Sequence, residues 1–269
     1  MTRHAGGTAD PCATLVDLQR YPVLDPDAGF VGAAREELGR QGWCELPGFV
    51  PAGALGILVE DAASLAPAAW RSEGIGTAYL AAPPPDAPAG DPRRWTGRYG
   101  TGVVAYDLFP PGSPLRRLYE WEPLRSFVEA ILGRGQLYRY ADPFGALNLA
   151  VMTEDDELQW HFDQTDFVVS LALQAATEGG DFEVAPLIRT DRDECLEAVS
   201  QVLSGASEEV RRIEMVPGTL LVFEGRRSIH RVSPVRGNVA RLVALLAYDT
   251  KPGTVSTPAL RKARYGRER

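Results

Sequence analysis

Few residues of this chain could assemble chemistry at a metal ion. Histidine occurs three times, at His4, His161 and His230, which excludes a dinuclear or three-histidine centre unless carboxylates supply most of the ligands. His161 stands in Trp160-His161-Phe162-Asp163 and His230 in Ser228-Ile229-His230-Arg231-Val232. On an extended strand, side chains i and i+2 share a face. His161 and Asp163 can therefore offer an imidazole nitrogen and a carboxylate oxygen to one point. A histidine arriving on another strand completes a facial 2-His-1-carboxylate set, which leaves positions open on an octahedral ion and suits non-haem Fe(II). With 36 acids among 269 residues, an acid two places after a histidine arises readily by chance, so the motif takes its weight from its surroundings. Arg241, eleven residues past His230, supplies them: it opens RLVALLAYD, a run otherwise too apolar to hold a charge. A guanidinium buried there needs an anion, either a planar dicarboxylate held by the bidentate fork or an acid of the protein. His4 falls in a Gly/Pro/Asp-punctuated lead-in, where no role is expected.

The elements that must position these residues follow from periodicity. Phe30, Val31, Ala34 and Leu38 mark a helix with its charges on the other side, and Trp43–Leu46 alternates as a short strand. A second helix runs from about Pro51 to Leu65. AAPPPDAPAGDP (81–92) holds five prolines and reads as a long surface loop of the kind that covers sites. Ser113 caps, Pro114 opens and Gly133 closes a third helical stretch, kinked or split at Pro123. From residue 136 the texture changes to short β-branched or aromatic runs punctuated by Gly and Pro: LYRYA, ALNLAVM, ELQWHF, FVVSLALQ, DFEVAP, RRIEMV, GTLLVF, SIHRV and RLVALLAYD. One helix, Asp191–Leu203, interrupts them. The pattern predicts a mainly β fold with flanking helices, closed or two-layered.

At ~150 residues per domain the length falls between one and two domains. We read one domain over 1–269: an N-terminal helical segment with a substrate-covering loop (1–135), a β core (136–253) and a basic tail (254–269). The net charge of −8 argues against nucleic-acid binding, which draws on attraction to phosphates. The basic cluster Arg261–Arg269 has no apolar face beside it and reads as solvated. Cys12, Cys44 and Cys195 show no metal or disulfide spacing, as expected of free thiols in a reducing compartment. No apolar run is long enough to span or target a membrane, so the expectation is a cytoplasmic protein with a small-molecule partner.

The order strand–HxD–strands–His–Arg resembles that of the Fe(II)/2-oxoglutarate oxygenases, built on a double-stranded β-helix (jelly-roll, cupin-like). Longer stretches resemble the BesD-like family of free-amino-acid halogenases and hydroxylases. These are YADPFGALN (140–148), ELQWHFDQTDFVVSLALQ (157–174), EGGDFEVAP (178–186), PGTLLVFEGRRSIHRVSPVRG (217–237) and RLVALLAYDTKPG (241–253), with PGSPLRRLYEWEPLRSFV (111–128) before them. The resemblance implies Fe(II) held by His161, Asp163 and His230, 2-oxoglutarate held through its distal carboxylate by Arg241, and O₂ as co-substrate. Asn148 is assigned to the cofactor or to a substrate amino group. Halogenases of that family carry Gly where Asp163 stands, which frees a position for chloride. With Asp163 present, three protein ligands, two 2-oxoglutarate oxygens and O₂ fill six positions, so hydroxylation is expected.

The resemblance also implies a small substrate, a free amino acid or a metabolite derived from one. Its carboxylate would meet an Arg at the end of the Pro-rich loop, Arg98 in preference to Arg94, with a solvated loop charge as the alternative. Gln164, Thr165 and Asp166, which flank the metal motif, could read its polar groups, although Asp166 also suits a turn or a cap. Trp160 reads as core packing before substrate stacking. The same cofactor chemistry allows desaturation, cyclisation or epoxidation, and a non-catalytic cupin-like binding module is the rival of another class.

Overall fold

The computed structural model describes residues 10–26 and 29–269, so His4 lies outside the described residues. In chain order the elements are α1 (Gly29–Gln41), β1 (Trp43–Leu46), α2 (Ala52–Leu65), β2 (Trp70–Thr77), β3 (Thr96–Val104), α3 (Pro114–Glu120), α4 (Glu122–Leu132) and β4 (Tyr138–Arg139). There follow β5 (Leu147–Met152), β6 (Leu158–His161), β7 (Val168–Gln174), β8 (Glu178–Gly179), β9 (Phe182–Ala185) and α5 (Leu196–Leu203). The chain continues through β10 (Arg211–Ile213), β11 (Leu220–Phe223), β12 (Ile229–Val232), β13 (Val235–Arg236), β14 (Arg241–Leu246), β15 (Tyr248–Asp249) and α6 (Pro258–Tyr265).

The main sheet is antiparallel, in the order β1-β11-β7-β14-β5-β3-β6-β12-β9-β10, with β2 attached to β3. Strand β3 turns the sheet over: its end pairs with β5 through Gly102–Val104, and Tyr99 pairs with Leu158 of β6. The result is a curled sheet whose two limbs face each other. Alternation along the strands divides the side chains between two sides. Leu147, Leu149 and Val151 of β5, Leu242, Ala244 and Leu246 of β14, and Leu220 and Val222 of β11 share one buried cluster with Leu58, Leu118, Phe127 and Ile131 of the helices. Their strand neighbours Asn148, Met152, Arg241, Val243, Leu221 and Phe223 line the hollow of the curl.

The stretch 113–132 divides as its chemistry requires. Ser113 accepts from the Arg116 amide as N-cap, and Trp121 leaves the helical conformation. Pro123, which has no N–H to give, sits in the first turn of a new helix, the one place where it costs nothing. Gly133 closes α4 in the left-handed conformation.

Three sequence expectations are corrected. The 1–135 segment holds β2 and β3, the two longest strands, and not only helices and a loop. Glycines hide both strands: a Cβ on Gly97 would come within 2.5 Å of the Trp95 ring and 2.7 Å of Gln159 Cβ. The helix expected over 191–203 begins only at Leu196. Before it, Thr190 Oγ1 and Asp193 Oδ1 accept the amides of Arg192, Asp193 and Cys195, which closes local turns in place of a helical first turn. Residues 254–269 are not a solvated tail. Thr257 caps α6, Tyr265 is buried, and the helix packs on β2 and β3. Polar links hold it: Arg261 to the fully buried Asp142 at 3.0 Å, and Arg267 to both oxygens of Asp107.

Cys12, Cys44 and Cys195 are free. No described helix is long and apolar enough to cross a membrane.

Candidate metal centre

Strands β6 and β12 run antiparallel with His161 directly opposite His230, and the ring centroids lie 4.3 Å apart. After β6 the chain is pinned twice: the Phe162 amide donates to Ala78 O at 2.8 Å and the Asp163 amide to Gly225 O at 3.1 Å. Phe162 turns outward against Tyr79, and Asp163 turns inward. His161 Nε2 lies 3.9 Å from Asp163 Oδ1, and His230 Nε2 lies 3.3 Å from Asp163 Oδ2. One ligand atom from each residue falls within 4.8 Å of the others, the pairing expected from the i, i+2 spacing and the distant second histidine.

Both imidazoles are oriented by backbone. Nδ1 of His161 lies 2.7 Å from Gln159 O and Nδ1 of His230 lies 2.9 Å from Ser228 O. A carbonyl can only accept, so each Nδ1 carries the proton and each Nε2 turns a lone pair into the hollow, as metal ligation requires. Phe182 and Phe223 pack against the His230 ring and fix its plane. Asp163 Oδ2 is buried without a hydrogen-bond partner. A buried carboxylate oxygen left this way is costly unless a cation completes it. Two Nε2 lone pairs and an orphaned carboxylate oxygen converging on one point fit a divalent transition metal.

The carboxylate has its place because residue 225 is glycine. A Cβ there would lie 2.2 Å from Asp163 Oδ2. Sequence reasoning missed Gly225, since a glycine in EGRRSIH carries no signal without its spatial neighbour.

Burial, with the neighbouring His230, pushes the His161 pKa down to about 4, against the opposing pull of Asp163. His161 is therefore neutral at ordinary pH. Between the folded value of about 4 and the unfolded value of about 6.5 the unfolded chain binds the extra proton, so stability falls as pH drops through that window. Metal-free protein should lose ~2 kcal/mol from this group between about pH 7 and about pH 5. Denaturant unfolding at the two pH values checks it: His161→Asn should lose less than the wild type by that amount, and an equal loss in both contradicts it.

Deeper in the hollow, Arg241 lies opposite Met152 in the β14–β5 register and is 7% exposed. Its guanidinium meets only Met152 Sδ at 3.8 Å and has no carboxylate partner among the described residues. Burial lowers its pKa to about 10, against the pull of Asp181, and leaves it charged. An unpaired cation at the base of a cavity that holds the triad is a built receptor for an anion.

The remaining candidates divide. Asn148 lines the hollow but is engaged: Nδ2 donates to Phe144 O and Leu147 O, and Oδ1 accepts from Tyr265. It has no donor left for a carboxylate, so its role is to tie β5 to α6. Trp160 faces away, in a cluster with Phe162, Ala185 and Val199 beneath the Arg231 guanidinium, and is core packing. Arg94 donates to Ala87 O and Pro85 O, which folds the Pro-rich loop. Arg98 donates to Asp155 O and pairs with Glu157, and neither arginine lines the hollow. Gln164 and Asp166 do line it, although Asp166 holds Arg226 at 2.5 Å and the Gln164 carbonyl accepts from the same guanidinium.

Residues 94–259 match the model of one protein family, HalD, Halogenase D. No curated protein sequence matches the chain. Among solved structures, an oxidoreductase of the 2OG-Fe(II) oxygenase family from Burkholderia pseudomallei is similar at 19% identity and TM-score 0.54, over 85% of this chain and 94% of that one. The epimerase SnoN, in complex with Fe3+, alpha ketoglutarate and nogalamycin RO, is similar at 15% identity and TM-score 0.57, over 82% and 84% of the two chains. A Trichoplax adhaerens prolyl hydroxylase, in complex with a hypoxia inducible factor peptide fragment, is similar at 15% identity and TM-score 0.54, over 83% and 94%. The curled sheet with its flanking helices is thus the jelly-roll fold shared by these oxygenases.

Proposed function

The chain belongs to the Halogenase D family, and from that premise we propose that it is an Fe(II)- and 2-oxoglutarate-dependent oxygenase that hydroxylates an unactivated carbon of a small substrate. The substrate class is a free amino acid or a metabolite derived from one. The observation that carries hydroxylation over halogenation is the Asp163 carboxylate, seated between both histidine Nε2 atoms with one oxygen unclaimed. A halide site would need that place empty.

His161, His230 and Asp163 would hold the iron, and Arg241 would hold the distal carboxylate of 2-oxoglutarate. When bound, this pair would supply the oxidative chemistry: one atom of O₂ enters succinate, formed as 2-oxoglutarate loses CO₂, and the other enters the substrate as its hydroxyl. The chain's own residues position and exclude. The Gln159 and Ser228 carbonyls fix the imidazole tautomers, Gly225 makes room for the carboxylate, and Met152, Leu221, Phe223 and Val243 wall the hollow against water.

A succinate-release screen over free amino acids and their derivatives, with Fe(II), ascorbate and 2-oxoglutarate, tests the reading. The expected result is substrate-dependent succinate and a product one oxygen heavier. A product two hydrogens lighter would replace hydroxylation by desaturation, and absence of succinate with every substrate would favour a binding module. Arg241→Met should raise the 2-oxoglutarate KM by roughly 10- to 100-fold, the worth of a buried charged contact. An unchanged KM would remove Arg241 from that role.

A further inference from the structure

We infer that Arg264, on α6, holds the carboxylate of the substrate, and that this substrate carries an apolar body larger than an amino-acid side chain. The inference rests on the oxygenase reading and narrows its substrate class.

The α6 helix brings Leu260, Ala263, Arg264 and Tyr265 to the wall of the same hollow that holds the triad. It is clamped on both sides of Arg264, by Arg261 on Asp142 and by the Tyr265 hydroxyl donating to Asn148 at 2.9 Å. Arg264 is half-buried and makes no hydrogen bond or ion pair among the described residues. Three other charged groups of the hollow are committed. Arg226 is on Asp166, and Asp249 accepts from Thr254 and the Lys251 amide. Arg241 is buried, and Lys251 is exposed. Arg264 is therefore a half-buried cation of the lining with its fork free for a planar anion.

Several apolar side chains are exposed: Ile75 at 76%, Val255 at 54%, Leu80 at 44% and Leu260 at 40%. All four line the hollow. Scattered exposed hydrophobes need no explanation, but four on the lining of one cavity mark a surface that a ligand covers. The cavity volume is about 1150 Å³. Pockets for drug-sized ligands occupy roughly 300–1,000 Å³, so the hollow has room for more than 2-oxoglutarate and a free amino acid. An apolar acid fills the space, covers these side chains and pairs the guanidinium.

The probes are N-acylglycines from acetyl to decanoyl and the corresponding neutral carboxamides, titrated calorimetrically into protein loaded with Fe(II) and 2-oxoglutarate under argon. Binding should tighten along the acyl series, and each acid should bind at least about tenfold tighter than its amide, as a charge-assisted fork warrants. Arg264→Gln should abolish the acid–amide gap and keep the Fe(II)/2-oxoglutarate absorbance. Ile75→Ser with Leu80→Ser should flatten the chain-length dependence and leave the gap. Glycine or a free amino acid binding tighter than every acyl member, no gap in the wild type, or a gap persisting in Arg264→Gln would each overturn the inference. Loss of the absorbance in the wild type would instead overturn the oxygenase reading. The acid–amide comparison needs no turnover, so it reads out in either case.

Discussion

Asp163→Ala is expected to lower substrate-coupled succinate release by more than about 100-fold, beyond the cost of losing an outer-shell partner of a metal. The change removes the sole carboxylate of the triad and, with it, the orphaned oxygen that makes the metal-free site unfavourable. Metal-free Asp163→Ala should therefore be at least as stable as the metal-free wild type while binding Fe(II) far more weakly. Thermal unfolding with and without Fe(II) separates the two effects. A variant that keeps full activity would exclude Asp163 as a ligand. Asp163→Gly carries the further test of reaction class: with chloride present, a monochlorinated product would show that this carboxylate alone stands between the two chemistries.

Gly225→Ala is the second large effect. Nothing about the backbone there resists alanine, since Gly225 is absent from the positive-φ positions. The obstacle is the 2.2 Å approach of the added methyl to Asp163 Oδ2. The carboxylate must swing away or β11 and its following turn must shift, so Fe(II) affinity should fall roughly 10- to 100-fold. The jelly-roll core should persist, because the strands at that limb are held by their own ladders. Fe(II) titration beside far-ultraviolet circular dichroism checks both halves, and an unchanged affinity would refute the steric account.

The convergence of the candidate ligands was more legible in the sequence than the shape of the cavity around them. His161 and Asp163 could be paired because strand periodicity is local, and Arg241 could be singled out because a charge opening an apolar strand stands against its background. His230 needed only a second strand beside the first. Strands β2 and β3 escaped because their glycines, selected by close approach of Trp95, Tyr99 and Gln159, erase the alternation that would announce them. The α6 helix escaped for a different reason: it is fastened by Arg261 and Arg267 to acids far away in sequence, and ion pairs of that kind leave no periodic trace. The Arg98 and Arg94 assignments failed at the same level. Type and neighbourhood suggested free cations, whereas Asp155, Glu157 and the loop carbonyls had already claimed both.

The gap at Gly225 also has a historical side. While Asp163 is present, residue 225 is barred from gaining a methyl group; once the aspartate has been exchanged for a smaller residue, the bar is lifted and position 225 is free to drift. An alanine acquired there in that interval would then block the carboxylate's return, since the 2.2 Å clash would be met from the other side. Two positions sixty-two places apart in the chain are thus coupled by one contact, so that the effect of a methyl at 225 depends on which residue stands at 163.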